Sequence, residues 1–158
     1  MAKKTFNEKL NYSGDLPKVE VLTSQKLIDR YRATTMVIAA PLEYDALMKS
    51  IPTGNVVTID RIMKYLAKQH RADTACPMTA GIFVNIAAKA SEERCGIDET
   101  PYWRTLKKDG ELNEKYPDGI DGQKARLEME GHTVIQKGKR YFVKDYEKDL
   151  FELGADYT

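Results

Sequence analysis

The run NVVTIDRIMKYLAKQHRADTACPMTAG, residues 55–81, decides the fold. Asn55-Val56-Val57-Thr58 is a short extended piece, and Thr58 can cap a helix from Ile59 to Lys68 whose inner face carries Ile62, Tyr65 and Leu66. A polar loop follows. Asp73-Thr74-Ala75-Cys76-Pro77 then leads into a long helix, Met78 to Glu93, with the small residues Thr79, Ala80 and Gly81 near its start. Two such helices, the second opening on small residues, form a helix-turn-helix pattern.

Working outward toward the N-terminus, Pro41 opens a helix through Ser50, with Leu42, Ala46, Leu47 and Ser50 near one face. It stops at Ile51-Pro52-Thr53-Gly54, because the residue before a proline is pushed out of helical space and glycine permits a turn. Residues 1–40 read as an arm or small subdomain: Asn11 to Asp15 is turn-rich, Val19 to Leu22 is strand-like, and Ser24 can cap a helix over Gln25 to Tyr31. Toward the C-terminus, Cys95-Gly96 breaks the long helix and Asp98-Glu99-Thr100-Pro101 returns the chain to an extended run. Tyr116 to Gly119 is a turn, and Gln123 to Glu130 a helix ended by Gly131. Thr133 to Gln136 and Arg140 to Val143 flank Lys137-Gly138-Lys139 as a β-hairpin. The expected architecture is mainly α with small β and winged-helix-like, a helix-turn-helix with a C-terminal hairpin wing. Residues 41–150 would form that domain, and 151–158 a tail.

Composition bounds what this domain can do. The chain has 158 residues, 42% hydrophobic and 31% charged, ordinary values for one globular domain with an appended arm. No apolar run approaches the ~20 residues that span a bilayer, so no membrane partner is expected. The opening M-A-K-K-T-F-N-E-K is basic but lacks an apolar signal core, which makes a cytoplasmic location the expectation. Cys76 and Cys95 read as free thiols, and without C-x-x-C or H-x-x-x-H spacing no metal site is expected. A net charge of +1 makes no bulk field for nucleic acid, so binding would depend on local clusters. Three are present: Lys107-Lys108; Lys137, Lys139 and Arg140; and Lys64, Lys68, His70 and Arg71 at the end of a helix.

The chemically informative stretch is Thr100-Pro101-Tyr102-Trp103-Arg104, followed by Asp109-Gly110-Glu111-Leu112. With Ile51 to Thr58 written as I-P-x-G-x-V-x-T with a looser valine, Gly119-Ile120, and Lys124 to Gly131 standing for a K-x-x-L-L-x-x-E-G helix, the order of these pieces resembles one family. It is that of the DNA-binding domain of the alkylguanine-DNA alkyltransferases (methylated-DNA–protein-cysteine methyltransferases) and their non-catalytic alkyltransferase-like relatives, from Ala46 to about Phe142. The family writes P-C-H-R where this chain has Pro101-Tyr102-Trp103-Arg104. Its chemistry needs a thiolate activated by a histidine that a glutamate orients, and of these only the glutamate is kept, as Glu130. A phenol ionises near pH ~10 and an indole accepts no proton, so methyl transfer is not expected at Tyr102 and Trp103.

The resemblance implies a non-catalytic DNA-binding protein that recognises alkylated or modified bases, with DNA and repair proteins as partners and no cofactor. DNA contacts would come from Thr58, Arg71, Thr79, Ala80, Gly81, Lys107, Lys108 and Lys139. The family's tyrosine after the signature threonine is Ile59 here, and Thr79 or Ala80 takes the place of its base-displacing arginine, leaving Arg71 as the nearby substitute. Arg104 is expected to tie the loop together, while Tyr102 and Trp103 either fill the old pocket as core aromatics or line a base-stacking one. Two other classes stay open: a methyltransferase with an atypical acceptor, and a protein-interaction module that has lost DNA contact.

Overall fold

A computed structural model describes residues 4–154, so residues 155–158 of the expected tail lie outside the described part. The chain builds α1 (Phe6–Asn11), β1 (Lys18–Val21), α2 (Gln25–Tyr31), β2 (Thr35–Ile38), α3 (Pro41–Lys49), β3 (Val57–Thr58), α4 (Ile59–Gln69), β4 (Thr74–Ala75), α5 (Pro77–Glu93), β5 (Thr105–Leu106), α6 (Gly119–Met129), β6 (Val134–Lys137) and β7 (Arg140–Val143). Helices dominate and the strands are short, as the sequence leads one to expect. No described helix is long and apolar enough to cross a membrane.

The pair α4 and α5 appears within one residue of the sequence boundaries. Ile62, Leu66 and Ala67 bury one side of α4, while α5 buries Ala80, Val84, Ala87, Ala88, Ala90 and Ser91. A stripe this rich in alanine lets neighbouring helices approach closely, and α1 and α3 both pack on α5. The core continues through Tyr44, Met48, Ile51, Val56, Tyr102, Leu106, Leu112, Tyr116, Leu127 and Val143.

Two parts of the first forty residues come from long-range contacts. The Glu93 carboxylate accepts from the Phe6 and Asn7 amides (2.9 and 3.0 Å), satisfying donors at the start of α1, and Leu10 enters the main core. Asp73 likewise accepts from the Thr34 and Thr35 amides at 3.0 and 3.1 Å. β2 lies between antiparallel β1 and parallel β4, with Val37 opposite both Val19 and Ala75.

The buried side of α3 differs from the sequence reading. Pro41, Tyr44, Asp45 and Met48 face inward, and Leu42 is 45% exposed. The reason is a buried polar contact: Asp45 accepts from the Thr100 hydroxyl at 2.6 Å and pairs with Lys49 at 3.2 Å, which fixes the rotation of the helix. The expected extended run also gives way to a 3₁₀ turn at Tyr102–Arg104.

What positions the site is the parallel pair β3–β5, with Val57 opposite Thr105 and Thr58 opposite Leu106. β3 follows Gly54 and β5 follows Arg104, so the I-P-x-G segment and the Tyr102–Arg104 turn are held side by side. The hairpin β6–β7 closes through Gly138 at φ 64°, a left-handed conformation that favours glycine.

Candidate nucleic-acid interface and the loop at Tyr102

Glu130 is the centre of the loop. It follows the last turn of α6, where a carboxylate meets the negative end of the helix dipole and needs an opposing charge. Arg104 supplies it, donating from Nε at 2.9 Å and from Nη2 at 2.7 Å, and the Trp103 indole N–H donates at 3.0 Å. The same guanidinium donates to the Ile51 carbonyl at 2.7 Å and the Thr53 hydroxyl at 2.9 Å. Burial works against ionisation of Glu130, but the donors from Arg104 and Trp103 outweigh it and hold the carboxyl below its usual pKa. Arg104 thus has the tying role expected of it.

Tyr102 is 1% exposed and Trp103 6%. The Tyr102 ring meets Trp103 and Tyr116 edge-on, with centroids 5.4 and 5.2 Å away, and its hydroxyl has no hydrogen-bond partner among the described residues. Burial raises its pKa further. These aromatics fill the core and present no open face for a base.

Sequence reasoning missed the residues that brace this turn. Gln123, fully buried, donates to the Trp103 carbonyl at 3.1 Å and accepts from the Asn113 amide at 2.7 Å. The Tyr116 hydroxyl donates to the Thr105 carbonyl at 2.9 Å, and the Arg126 guanidinium lies 4.6 Å from the Trp103 ring centroid. Only the placement of Gln123 on the inner side of α6 could have flagged it.

The two histidines are occupied elsewhere: His70 Nε2 lies 2.5 Å from Glu43, and His132 Nδ1 3.5 Å from Asp149. Cys76 precedes α5 half-buried and Cys95 is exposed beyond it, and among the described residues neither bonds to a histidine. Among the described residues no three His, Cys, Asp or Glu gather to hold a metal ion.

The residues expected to touch DNA divide by exposure. Thr58 is 2% exposed and Ala80 fully buried, so neither side chain reaches solvent. Thr79 is half-buried, its hydroxyl donating to the Cys76 carbonyl at 3.3 Å, whereas a Cβ on Gly81 would meet nothing within 4 Å. Beside them Met78 is 75% and Ile82 48% exposed, so the start of α5 presents an apolar surface. Arg71 is exposed in the left-handed turn after α4.

Lys107 pairs loosely with Glu111 and Glu114, and Arg140 is held by Glu111 at 2.8 and 3.1 Å. Lys108, Lys137 and Lys139 are exposed and have no ion pair among the described residues. The 107–112 loop lies against β7, with the Leu112 amide donating to the Tyr141 carbonyl at 2.9 Å, so these three lysines belong to adjoining surfaces.

No family model matches the chain and no curated protein does. Among solved structures the chain is similar to S. pombe Atl1 in complex with damaged DNA containing O6-carboxymethylguanine, at 23% identity over 69% of this chain and 90% of that one, TM-score 0.48. It is also similar to S. pombe ATL in complex with DNA, at 22% identity over 70% of this chain and 91% of that one, TM-score 0.49.

Proposed function

We propose that this chain is a non-catalytic, alkyltransferase-like DNA-binding protein that recognises alkylated or otherwise modified bases and marks them for repair. The observation that carries the reading is convergence on one carboxylate. Ile51, Thr53 and Gly54 of the I-P-x-G segment, Trp103 and Arg104 of the P-C-H-R position, and Glu130 at the end of α6 meet in one hydrogen-bonded cluster. These segments are far apart in sequence, and the motif order that suggested the family needs them together. Beside that cluster a buried phenol replaces the nucleophile, and within it an indole replaces the base, so binding is what the framework retains.

On this reading residues 41–150 act as a winged-helix unit, with α4 and α5 as the helical pair, β6–β7 as the wing, and the first forty residues packed onto it. Lys108 and Lys139 supply phosphate contacts, joined by Arg71 and by Lys107 once DNA competes with its glutamate partners. Gly81 and Thr79 let backbone approach the minor groove, and the apolar Met78 stands where a wedge between base steps would be needed. Thr58 and Ala80 position these elements from within the core.

The test is fluorescence anisotropy of the full chain with matched duplexes, with and without an O6-alkylguanine, across a salt series. Salt-sensitive binding that is tighter for the alkylated duplex is expected, with unchanged intact mass of the protein afterwards. Absence of binding at low salt overturns the reading in favour of an interaction module, and a stable added methyl overturns the non-catalytic part.

A further inference from the structure

The cations of α4 are not used by the protein itself. Arg61, Lys64 and Lys68 are exposed and form no ion pair among the described residues. At positions i, i+3 and i+7 they fall on one stripe, opposite the core-facing Ile62, Leu66 and Ala67. At 1.5 Å per residue the stripe is about 10.5 Å long. Three cations on one stripe can each meet a phosphate of a duplex strand.

The stripe also has a wall. Arg61, Lys64, Tyr65 and Lys68 form one side of a groove of about 350 Å³ whose other side is the segment from Phe151 to Gly154, with Glu152 its one carboxylate. That segment is fixed: the Phe151 amide donates to the Val56 carbonyl at 2.8 Å, and Gly154 approaches Tyr65 so closely that a Cβ would stand 2.7 Å from the ring. At its upstream end α4 starts beside the loop that bears Lys108, because Thr58 lies opposite Leu106 in the β3–β5 pair. Tyr146 packs on Gly110 of that loop.

We propose that the α4 groove is a second phosphate-backbone track, which receives the flank of the duplex leading away from the hairpin and the Lys108 loop. The inference rests on the DNA-binding reading and extends it to residues outside the family motifs. Positive charge gathered on one stripe of α4, with no ion pair among the described residues, favours a polyanion. The occupant is the same duplex rather than a separate ligand, since the β3–β5 pair sets Thr58 opposite Leu106 and so places the start of α4 beside the loop that bears Lys108.

The experiment is the salt dependence of duplex affinity for the full chain, for the triple variant R61Q/K64Q/K68Q, and for K26Q/R30Q/R32Q, which removes equal charge from α2 and the turn after it. Each lost phosphate contact lowers the slope of log K against log salt by ~0.9, so the α4 triple is expected to lose about 2.7 from the slope and the α2 triple almost nothing. Unchanged thermal midpoints confirm that both variants fold. An α4 triple with the wild-type slope overturns the track while leaving DNA binding intact. Equal losses in both triples also overturn it, because they report bulk charge alone. A wild-type chain that binds no duplex removes the DNA reading itself, and the track with it.

Discussion

Arg104 and Lys139 are both basic residues of the region that resembles a DNA-binding domain, and the molecule uses them in opposite ways. Arg104 is consumed internally: three neighbours accept from it, and its side chain is 12% exposed. Lys139 stands at the tip of the hairpin with no ion pair among the described residues. The carboxylates explain the contrast. Glu130, Glu111, Asp45, Asp73 and Glu93 are engaged in holding loops and helix ends, while Lys108, Lys137, Lys139 and the cations of α4 have no ion pair among the described residues. A net charge of +1 therefore understates the field on the surface that carries the free lysines.

Breaking the internal half of the comparison gives the largest effect. Glu130→Ala leaves a guanidinium and an indole N–H without their acceptor, and a pair whose side chains are 12% and 10% exposed makes that costly. A loss of about 3 kcal/mol is expected, read as a lower urea midpoint at unchanged slope. A loss under about 1 kcal/mol would mean that water replaces the carboxylate and that the cluster is a surface pair.

The same carboxylate sets an acid limb. Its folded pKa lies below the unfolded one, so its contribution is fully present above the ordinary carboxylate value of ~4.3 and is lost as pH falls through the folded value. Glu93, Asp73, Asp98 and Glu111 are lowered in the same direction. Stability should fall as pH drops below about 5, and Glu130→Gln, less stable at neutral pH, should fall less steeply. Parallel curves for the two proteins would place the acid sensitivity in the other carboxylates.

A smaller effect of opposite sign sharpens the picture at Tyr102. Its hydroxyl is buried without a partner, whereas the Tyr116 hydroxyl beside it donates to Thr105. Tyr102→Phe removes an unmet polar group and keeps the ring contacts, so stability is expected to rise by about 1 kcal/mol. Tyr116→Phe is expected to lose a similar amount, leaving the Thr105 carbonyl unpaired. Thermal melts of the two variants compare a filler aromatic with a bonded one.

How much of this was legible follows the range of the interactions. The helices α4 and α5 and the hairpin come from local periodicity, a proline at the first turn of α5 and a glycine turn, all written within each segment, whereas the expected side-chain cap from Thr58 does not form. α1 has only six residues and is held by Glu93, 87 positions from Phe6, so propensity had little to say about it. β2 pairs with β4 across the whole of α3 and α4, and the four residues Thr-Met-Val-Ile offered no turn signal to mark them. At the loop, Glu130, Arg104, Tyr102 and Trp103 were legible because the motif order of the family they resemble places them. Gln123 and Asn113 were not: helix periodicity can mark Gln123 as inward-facing, but not its bond to the Asn113 amide ten residues away.

The smallest change addresses the exposed half. Lys139→Gln alters no contact within the described fold, so thermal and urea midpoints should stay where they are. If the lysine meets a phosphate, the slope of log K against log salt falls by ~0.9 while lesion preference is kept, because backbone contacts position a protein without reading bases. Arg140→Gln, one residue away, provides the internal control. Its guanidinium is engaged by Glu111, so losing it frees a carboxylate next to the same surface and adds repulsion toward DNA. Arg140→Gln should therefore weaken duplex binding at least as much as Lys139→Gln although Arg140 itself is already paired. Equal slopes for wild type and both variants would move the DNA-facing surface off the hairpin and onto the helices.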